Sequence, residues 1–328
     1  MACSSNKKLL LFYVLSVLKK YTDETHLLTQ EEIGKFVEKE FGMYCERKTA
    51  AANMLALEEL GYDIIKVDGK GYYLGSREFE KGEILFLIDA IFSSKIISSK
   101  QAEDLALKLT SFFSKYENKN FNYIHKSNQV SRTDLKQIFY TIEEINNAIE
   151  SKKKIRFTYQ KTTYSKQESV KKYTVSPYFM ANSQGKYYLV CNMDNINDIS
   201  NFKIEKIKDI EILGEDAYPV NKIEGYEKGL DISKYTNENI YMFSGKTISA
   251  KLKLENENVV DYIYDWFDKN YIHISKRNDE IMADIRVNES ALVYWALQYG
   301  ASVEVLEPQS TREKISGIVE QMYLKYKK

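Results

Sequence analysis

The chain has 328 residues, 44% of them hydrophobic, and its 47 basic and 47 acidic side chains give a formal net charge of zero. This length predicts two or three domains, each able to bury a core. The three cysteines, Cys3, Cys45 and Cys191, lie far apart and the three histidines are equally scattered, so we expect a reducing compartment and neither a metal site nor a cofactor.

The N-terminus imitates a signal peptide, because Lys7 and Lys8 precede an apolar run from Leu9 to Leu18. No small-residue cleavage pattern follows, and the run is shorter than the ~20 residues of a membrane helix. We therefore expect Leu9 to Lys20 to form the first helix of a soluble cytoplasmic domain, with no membrane span.

Two more helices are predicted next. Thr29 and Glu32 have the spacing of a capping box, so a second helix begins after Thr29 and ends at Gly42. The third helix is predicted from Glu46 to Leu60, with Gly61 as its stop. Its inward side chains are expected to be Met54, Leu57 and Leu60.

Two short strands, Asp63 to Val67 and Tyr72 to Leu74, follow and are joined by Asp68-Gly69-Lys70-Gly71, a strong hairpin signal. Three helices and a hairpin within about 70 residues resemble the winged helix-turn-helix of bacterial transcription regulators. The likeness rests on Arg47-Lys48-Thr49, on residues 57–62 and on the Gly-Tyr-Tyr-Leu at 71–74.

The third helix of such a module enters the major groove of DNA, and the wing contacts the backbone. The resemblance therefore implies a DNA-binding set made of Arg47, Lys48, Thr49, Asn53, Lys66 and Lys70. Arginine or lysine reads guanine or grips phosphate, and asparagine can pair with adenine. Residues 1–75 hold 10 basic and 11 acidic side chains, which is not a basic footprint. A head kept for protein contacts or dimerisation is the alternative.

Residues 78–117 continue as helices with apolar stripes that bridge the head to the next module. Asn118 to Arg132 is polar and rich in asparagine, which predicts a loop or an edge strand. A helix is then predicted from Thr133 to Glu150.

A basic module follows, because residues 151–208 hold 12 Lys+Arg against 4 Asp+Glu, a net charge of +8, while the rest of the chain carries −8. Basic residues mixed with aromatic ones suit an anionic ligand that bears bases. An ordinary lysine-coated sheet is the alternative. Strands are predicted at Lys154–Tyr159, Ser169–Tyr178, Lys186–Asn192 and Ile199–Phe202, with Ile204–Ile207 turning into a final strand to Leu213. Short strands separated by turns suggest a small barrel.

The central strand of this module follows Gly185 and alternates bulky side chains. Alternation places Tyr187, Leu189 and Cys191 on one face. The other face carries Lys186, Tyr188, Val190 and Asn192, so neither face is purely polar.

The module resembles a WYL domain at Ser176-Pro177-Tyr178, at residues 185–190 and at residues 201–207. The signature Trp-Tyr-Leu falls on Tyr187, Tyr188 and Leu189, with Tyr in place of Trp, and the family's two arginines fall on Lys203 and Lys206. The resemblance implies an Sm-like barrel that binds a nucleic-acid strand or a nucleotide. It places the ligand on Tyr159, Lys186, Tyr188, Lys203 and Lys206. Whether Tyr187 or Tyr188 lines the pocket stays open, and lysine lacks the bidentate fork of arginine.

The C-terminal segment reads strand, helix, strand, strand, helix, strand, helix, which is the order of a ferredoxin-like α+β domain. The predicted elements are Thr247–Leu254, Val259–Phe267, Tyr271–Ser275, Ile281–Val287, Glu289–Tyr299, Ser302–Val305 and Ser310–Lys325. The segment resembles the C-terminal extension of WYL regulators at 294–301 and 303–308. We expect Trp266 and Trp295 to belong to its core.

The sequence thus predicts an α+β multidomain protein. Its parts are a winged helix-turn-helix at 1–76, a helical linker at 77–141, a WYL domain at 142–220, a connector at 221–245 and the extension at 246–328. We expect a homodimeric, ligand-responsive transcription regulator that binds a duplex operator. The alternative is an accessory protein of a defence system that binds single-stranded RNA or DNA and uses its head for assembly. No P-loop, Gly-x-Ser-x-Gly or cysteine–histidine pairing suggests catalysis.

Overall fold

The computed structural model describes residues 9–94, 96–117, 135–162, 168–194 and 196–327. It divides into two compact units, Met1–Arg132 and Thr133–Lys328, and each unit has its own hydrophobic cores. The loop or edge strand predicted at 118–132 lies outside the described residues.

The first unit begins with three helices and a hairpin, as predicted. Its elements are α1 (Leu10–Tyr21), α2 (Gln30–Phe41), α3 (Arg47–Glu59), β1 (Ile64–Val67) and β2 (Gly71–Leu74). The capping box is confirmed: the Thr29 amide donates to Glu32 Oε2 at 2.7 Å, and the Glu32 amide donates to Thr29 Oγ1 at 3.3 Å. Val14, Leu18 and Leu57 are buried in the core that the helices and the hairpin share.

The inward position predicted for Leu60 is wrong, since its side chain is 66% exposed. The inward face of α3 is formed by Ala50, Met54 and Leu57. Leu60 is the C-cap of the helix, with ψ near 2°, so the chain has already left the helical path where the next inward position would fall.

Helices α4 (Lys81–Ser93) and α5 (Ser99–Thr110) complete the described part of this unit and confirm the helical prediction for 78–117. Two polar groups fasten them to the head. The Arg77 guanidinium donates to the carbonyls of Lys19 (3.0 Å), Thr22 (2.5 Å) and Phe112 (3.2 Å). The Asp23 carboxylate accepts a 2.7 Å hydrogen bond from Ser114 Oγ.

The second unit opens with α6 (Leu135–Ser151) and a five-stranded antiparallel sheet. The strands are β3 (Lys153–Thr162), β4 (Glu168–Ser183), β5 (Lys186–Met193), β6 (Ile199–Lys203) and β7 (Ile207–Asp216). Their order across the sheet is β6-β5-β4-β3-β7. All five predicted strands are present, and β3 and β4 extend beyond their predicted ends.

The two faces of this sheet pack against different partners. The first core lies against α6 and contains Leu189 and Cys191 of β5, whereas the second contains Tyr188 and Val190. The alternation predicted for β5 is therefore confirmed. The second core is covered by residues 220–242, including α7 (Ile232–Glu238), a helix that sequence reasoning missed in the connector.

The C-terminal part forms a four-stranded antiparallel sheet with helices on it. Its elements are β8 (Thr247–Leu254), α8 (Val259–Tyr264), β9 (His273–Arg277), β10 (Glu280–Asn288), α9 (Glu289–Gln298), β11 (Val303–Glu307) and α10 (Gln309–Tyr326). The sheet order β11-β8-β10-β9 is that of a ferredoxin-like βαββαβ unit, as expected. Trp295 is fully buried in its core, and Trp266 packs against that core, so both tryptophans lie where predicted.

Candidate nucleic-acid interfaces

The first two helical turns of α3 present four of the polar side chains that were predicted to contact DNA. Arg47 and Lys48 are exposed, and Thr49 and Asn53 are half-buried on the adjoining face. The Asn53 amide donates to the Thr49 carbonyl at 2.8 Å, so this side chain is turned back onto its own helix. Lys48 makes no ion pair with any described residue.

Half of the predicted DNA-binding set shares one cleft. Arg47, Lys66 and Lys70 line a cavity of about 380 Å³ between the start of α2, the start of α3 and the hairpin. Lys48, Thr49 and Asn53 are not among its lining residues. The structure therefore separates a group of three cations at the cleft from three polar side chains along α3.

Sequence reasoning missed two residues that build this cleft. Arg47 Nε donates to Gln30 Oε1 at 3.2 Å, and Gln30 Nε2 donates to the Tyr72 hydroxyl at 3.0 Å. Tyr72 is itself held by the backbone of Leu28, with N···O distances of 2.8 and 3.0 Å. This chain of contacts fixes Arg47 against the hairpin. The feature of the sequence that could have identified Gln30 is its position directly after Thr29, the residue that caps α2.

In the basic module, the register places three predicted ligand residues on one face of the sheet. Tyr188 pairs with Lys203 across β5 and β6, so both side chains point to the same side. Lys186 lies two residues before Tyr188 and shares that side. Tyr159 lies on the opposite face, where its ring is packed among Phe157, Tyr173 and Phe202 in the first core.

The stacking role predicted for Tyr159 and Tyr188 needs an open ring face, and neither ring has one. Tyr159 is 8% exposed and Tyr188 is 7% exposed, because this sheet has a hydrophobic core on each side. Tyr187 is half-buried at the edge of the first core and is the more accessible tyrosine of the signature.

The two buried tyrosines contribute hydroxyl groups instead. The Tyr159 hydroxyl accepts a 3.4 Å hydrogen bond from the Lys203 amide, which brings it to the end of β6. Burial raises the pKa of both phenols, and the nearby Glu205 carboxylate raises the pKa of each further. Both hydroxyls therefore stay protonated at neutral pH and retain a proton to donate.

The predicted lysines differ from the other cations of the module in their pairing. Three cations on β3 are neutralised: Lys153 by Asp216 at 2.7 Å, Lys154 by Asp194 and Glu215 at 2.9 and 3.2 Å, and Arg156 by Glu211 at 3.5 Å. Lys186, Lys203 and Lys206 form no ion pair within the described ranges. Positive charge is thus left uncompensated where β5 begins and β6 ends, which favours an anion there.

Glu205 is a further member of this site that sequence reasoning left without a role. It occupies the 3₁₀ turn Ile204–Lys206 between the two lysines. Its Oε2 atom is buried and has no hydrogen-bond partner. The feature of the sequence that could have identified Glu205 is its position between two lysines inside the WYL-like pattern at 201–207.

Other kinds of site find no support in the described part of the chain. No group of three or more His, Cys, Asp or Glu side chains there could hold a metal ion. Cys45 and Cys191 are free and buried. None of the described helices is both long enough and apolar enough to span a membrane.

Comparison with known proteins identifies two domains. The WYL domain family matches residues 140–212, and the WCX domain family matches residues 246–323. The HTH-type transcriptional regulator YobV of Bacillus subtilis (strain 168) is 26% identical over 181 residues. That match covers 55% of this chain and 54% of YobV, so it spans about half of each protein.

Two solved structures are similar to the chain at low sequence identity. The proteasome accessory factor PafBC of Arthrobacter aurescens is 16% identical, with a TM-score of 0.30, and the match covers 97% of this chain and 49% of PafBC. A CRISPR Cas-related protein is 13% identical, with a TM-score of 0.40, and the match covers 100% of this chain and 88% of that protein. The chain therefore contains a WYL domain followed by a WCX domain.

Proposed function

We propose that this protein is a ligand-responsive transcription regulator that binds duplex DNA with its head and a nucleotide-type anion with its WYL domain. The observation that carries the proposal is the order of its parts. A head of three helices and a hairpin precedes a WYL domain and a WCX domain, and the curated relative is an HTH-type regulator. Such a protein acts by binding in the cytoplasm, as a homodimer whose two heads read a symmetric site.

The proposed division of the chain keeps the predicted boundaries. Residues 1–76 form the winged helix-turn-helix, 77–141 the helical linker, 142–220 an Sm-like WYL barrel, 221–245 the connector and 246–328 the WCX domain. The connector is also part of the packing of the WYL domain, because it covers the second core of the WYL sheet.

For the head, we assign different tasks to the two groups of DNA-binding residues. Arg47, Lys66 and Lys70 share the cleft beside the hairpin and would grip the phosphate backbone, which positions the head without reading sequence. Lys48 and Thr49 lie at the start of α3 and would read base edges. Asn53 keeps its carbonyl oxygen free while its amide is bonded to the helix.

For the WYL domain, the proposed anion site rests on three lysines that form no ion pair with a described residue. Lys186, Lys203 and Lys206 would neutralise phosphates, since uncompensated cations at one end of a sheet attract a polyanion. The half-buried ring of Tyr187 would offer the stacking face in place of Tyr188. The bound ligand then changes DNA binding only if it prefers one arrangement of the protein over another.

A nucleic-acid-binding accessory protein is the second candidate, and the charge distribution favours it. Residues 151–208 carry a net charge of +8, whereas residues 1–75 carry −1. In this alternative the WYL domain grips a single strand directly, and the head serves assembly.

Fluorescence anisotropy over a salt series distinguishes the two functions. The protein would be titrated with labelled duplex fragments of its own upstream region and with random single-stranded oligonucleotides. A regulator binds one duplex sequence tightly, and Arg47→Ala and Lys48→Ala abolish that binding. An accessory protein binds single strands alone, without sequence preference. Duplex affinity that is equal with and without a saturating single strand would rule out ligand control.

The lysine assignments have a matched control within the module. Lys203→Ala and Lys206→Ala each remove an unpaired charge and should lower the single-strand salt slope by about 0.7. Lys153→Ala removes the same charge from a position that Asp216 already neutralises. It should leave the slope unchanged, and an equal loss in all three variants would mean a diffuse surface effect.

A further inference from the structure

Tyr72 lines the cleft beside the hairpin but carries no charge, and it was not among the residues predicted to contact DNA. Its side chain lies on the same face of the hairpin as Lys66, because the two residues pair directly across β1 and β2. Both residues line the cavity of about 380 Å³ that is also lined by Arg47 and Lys70. A neutral hydrogen-bonding side chain therefore lies among the cations of the cleft.

The direction of the hydrogen bonds in this cleft follows from the chemistry of one arginine. A guanidinium group has only donors, so the 3.2 Å contact between Arg47 Nε and Gln30 requires the carbonyl oxygen of the glutamine. The amide nitrogen of Gln30 then faces Tyr72 and donates to its hydroxyl at 3.0 Å. The hydroxyl oxygen of Tyr72 is therefore the acceptor in this contact.

Two side chains of the cleft are left with unused donors. A tyrosine hydroxyl can accept one hydrogen bond and still donate its own proton. The Tyr72 hydroxyl accepts from Gln30, and no residue in the described ranges accepts its proton. The Arg47 guanidinium uses Nε for Gln30, whereas Nη1 and Nη2 make no hydrogen bond with a described residue. Gln30 thus joins the two side chains and leaves the outer donors of both available.

The backbone holds the Tyr72 hydroxyl in a fixed place. The Tyr72 amide donates to the Leu28 carbonyl at 2.8 Å, and the Tyr72 carbonyl accepts from the Leu28 amide at 3.0 Å. Gly71 lies so close to the same segment that an added Cβ would be 2.7 Å from the Leu28 carbonyl oxygen. A donor that is fixed before binding loses little conformational entropy when its acceptor arrives.

Two carboxylates near the cleft are already bound to lysines. Glu31 lines the cleft and forms an ion pair with Lys35 at 2.7 Å, one turn along α2. Asp68 pairs with Lys66 at 3.1 Å, but its side chain is 93% exposed and does not line the cleft. Exposed ion pairs of this kind are weak, so a phosphate can replace Asp68 beside Lys66. Neither carboxylate accepts a hydrogen bond from the two side chains with unused donors.

We propose that the Tyr72 hydroxyl binds a phosphate of the DNA backbone together with the Arg47 guanidinium, and that Gln30 is the positioning residue for both groups. This inference rests on the proposed DNA-binding function of the head. A phosphodiester suits the cleft because its two unesterified oxygens only accept hydrogen bonds. One oxygen accepts the phenolic proton, and the other accepts from the free Nη groups of Arg47. Lys66 and Lys70 add positive charge beside them.

The test measures binding of the full-length protein to a labelled duplex fragment of its own upstream region over a salt series. Tyr72→Phe removes only the hydroxyl and should weaken duplex binding about 10-fold, because a hydrogen bond to a charged group is lost. The salt slope should stay unchanged, since a neutral hydroxyl releases no counterion, whereas Lys70→Ala should lower the slope by about 0.9. Tyr73→Phe is the matched control and should bind like the wild type, because this tyrosine lies on the opposite face of β2 and does not line the cleft.

The salt slope separates a lost donor from a structural role. If the Tyr72 hydroxyl only held the cleft together, its removal would displace Arg47 and Lys66 as well, and the slope would fall. A lower slope in Tyr72→Phe would therefore overturn the inference, as would duplex affinity equal to that of Tyr73→Phe. Failure of the wild-type protein to bind any duplex would remove the proposed function of the head together with the inference.

A double variant tests the part assigned to Gln30. In Gln30→Glu the carboxylate still accepts from Arg47 Nε, but it has no proton to donate and instead accepts the phenolic proton of Tyr72. Duplex binding should weaken, and adding Tyr72→Phe to this variant should cause no further loss, because the hydroxyl no longer has a proton for the phosphate. A further loss of about 10-fold would mean that the added negative charge acts alone, and it would contradict the positioning role of Gln30.

Discussion

A buried carboxylate is one of the two polar groups that connect the head to the helix pair α4–α5. Asp23 follows α1, and its Oδ1 accepts from the Thr25 amide (2.9 Å), the Thr25 hydroxyl (2.8 Å), the His26 amide (2.8 Å) and His26 Nδ1 (2.9 Å). Its Oδ2 accepts from Ser114 after α5. We predict that Asp23→Asn, which keeps the shape and removes the charge, loosens this connection.

The expected loss is about 2 kcal/mol of unfolding free energy at pH 7, since hydrogen bonds to a charged group each contribute about 1.5–3 kcal/mol and the amide retains some of them. Burial alone would raise the pKa of Asp23, but the hydrogen bonds from Ser114, Thr25 and His26 hold it well below its usual range. A carboxyl whose pKa is lower in the folded state stabilises the fold above its unfolded pKa of about 3.9. Its contribution is lost as the pH falls from that value towards the folded pKa.

Urea unfolding of both proteins at a series of pH values measures this difference. The difference in unfolding free energy between wild type and Asp23→Asn should be constant from about pH 5 to 7 and should become smaller below about pH 4. Glu24→Gln is the control, because this neighbouring carboxylate is exposed. The reasoning would be refuted if Asp23→Asn lost no more unfolding free energy than Glu24→Gln, or if its loss did not change with pH.

Three further changes test the head and its link to the helix pair. Arg77→Met should cost about 2–4 kcal/mol in urea unfolding, because three backbone carbonyls lose a charged donor; a cost below about 1 kcal/mol would contradict this. Gly34→Ala should unfold the head at a clearly lower urea concentration than Gly82→Ala does. A Cβ added at Gly34 would lie 2.2 Å from a backbone oxygen in the α2–α3 loop, whereas one added at Gly82 meets open space. Leu57→Ala should cost about 2–5 kcal/mol, whereas exposed Leu60→Ala should stay within about 0.5 kcal/mol, and equal losses in thermal melts would contradict the observed end of α3.

Much of the fold could be predicted because local signals agreed with one another. The capping box at Thr29, the Gly-rich turn at 68–71 and the alternation in β5 each specify an element through contacts within a few residues. Helix α7 gave no such signal. It has only seven residues, and its stability comes from packing Tyr235 onto the second core, a contact with strands 34 or more residues earlier that periodicity does not reveal.

The candidate site shows the same limit. The register that places Lys203 beside Tyr188 follows from the strand pattern. Burial of the Tyr188 ring could not be foreseen, because it depends on the connector covering the second face of the sheet, whereas the Tyr159 ring is buried in the first core against α6. Gln30 and Glu205 were overlooked since their importance lies in what they contact, or fail to contact, across the fold.

The second core also offers a physical connection from the ligand site to the WCX domain. The Tyr235 hydroxyl of α7 donates to Asn201 Oδ1 at 3.0 Å, on the strand that ends at Lys203. The same helix ends at Glu238, which accepts a 2.8 Å hydrogen bond from Arg286 Nε on β10. If the proposed ligand binds one position of β6 more tightly, these two hydrogen bonds are the contacts through which it would favour one position of α7 and of the C-terminal sheet. The connector thus has the contacts that coupling requires, because it packs on the sheet that carries the lysines and is ion-paired to the domain that follows.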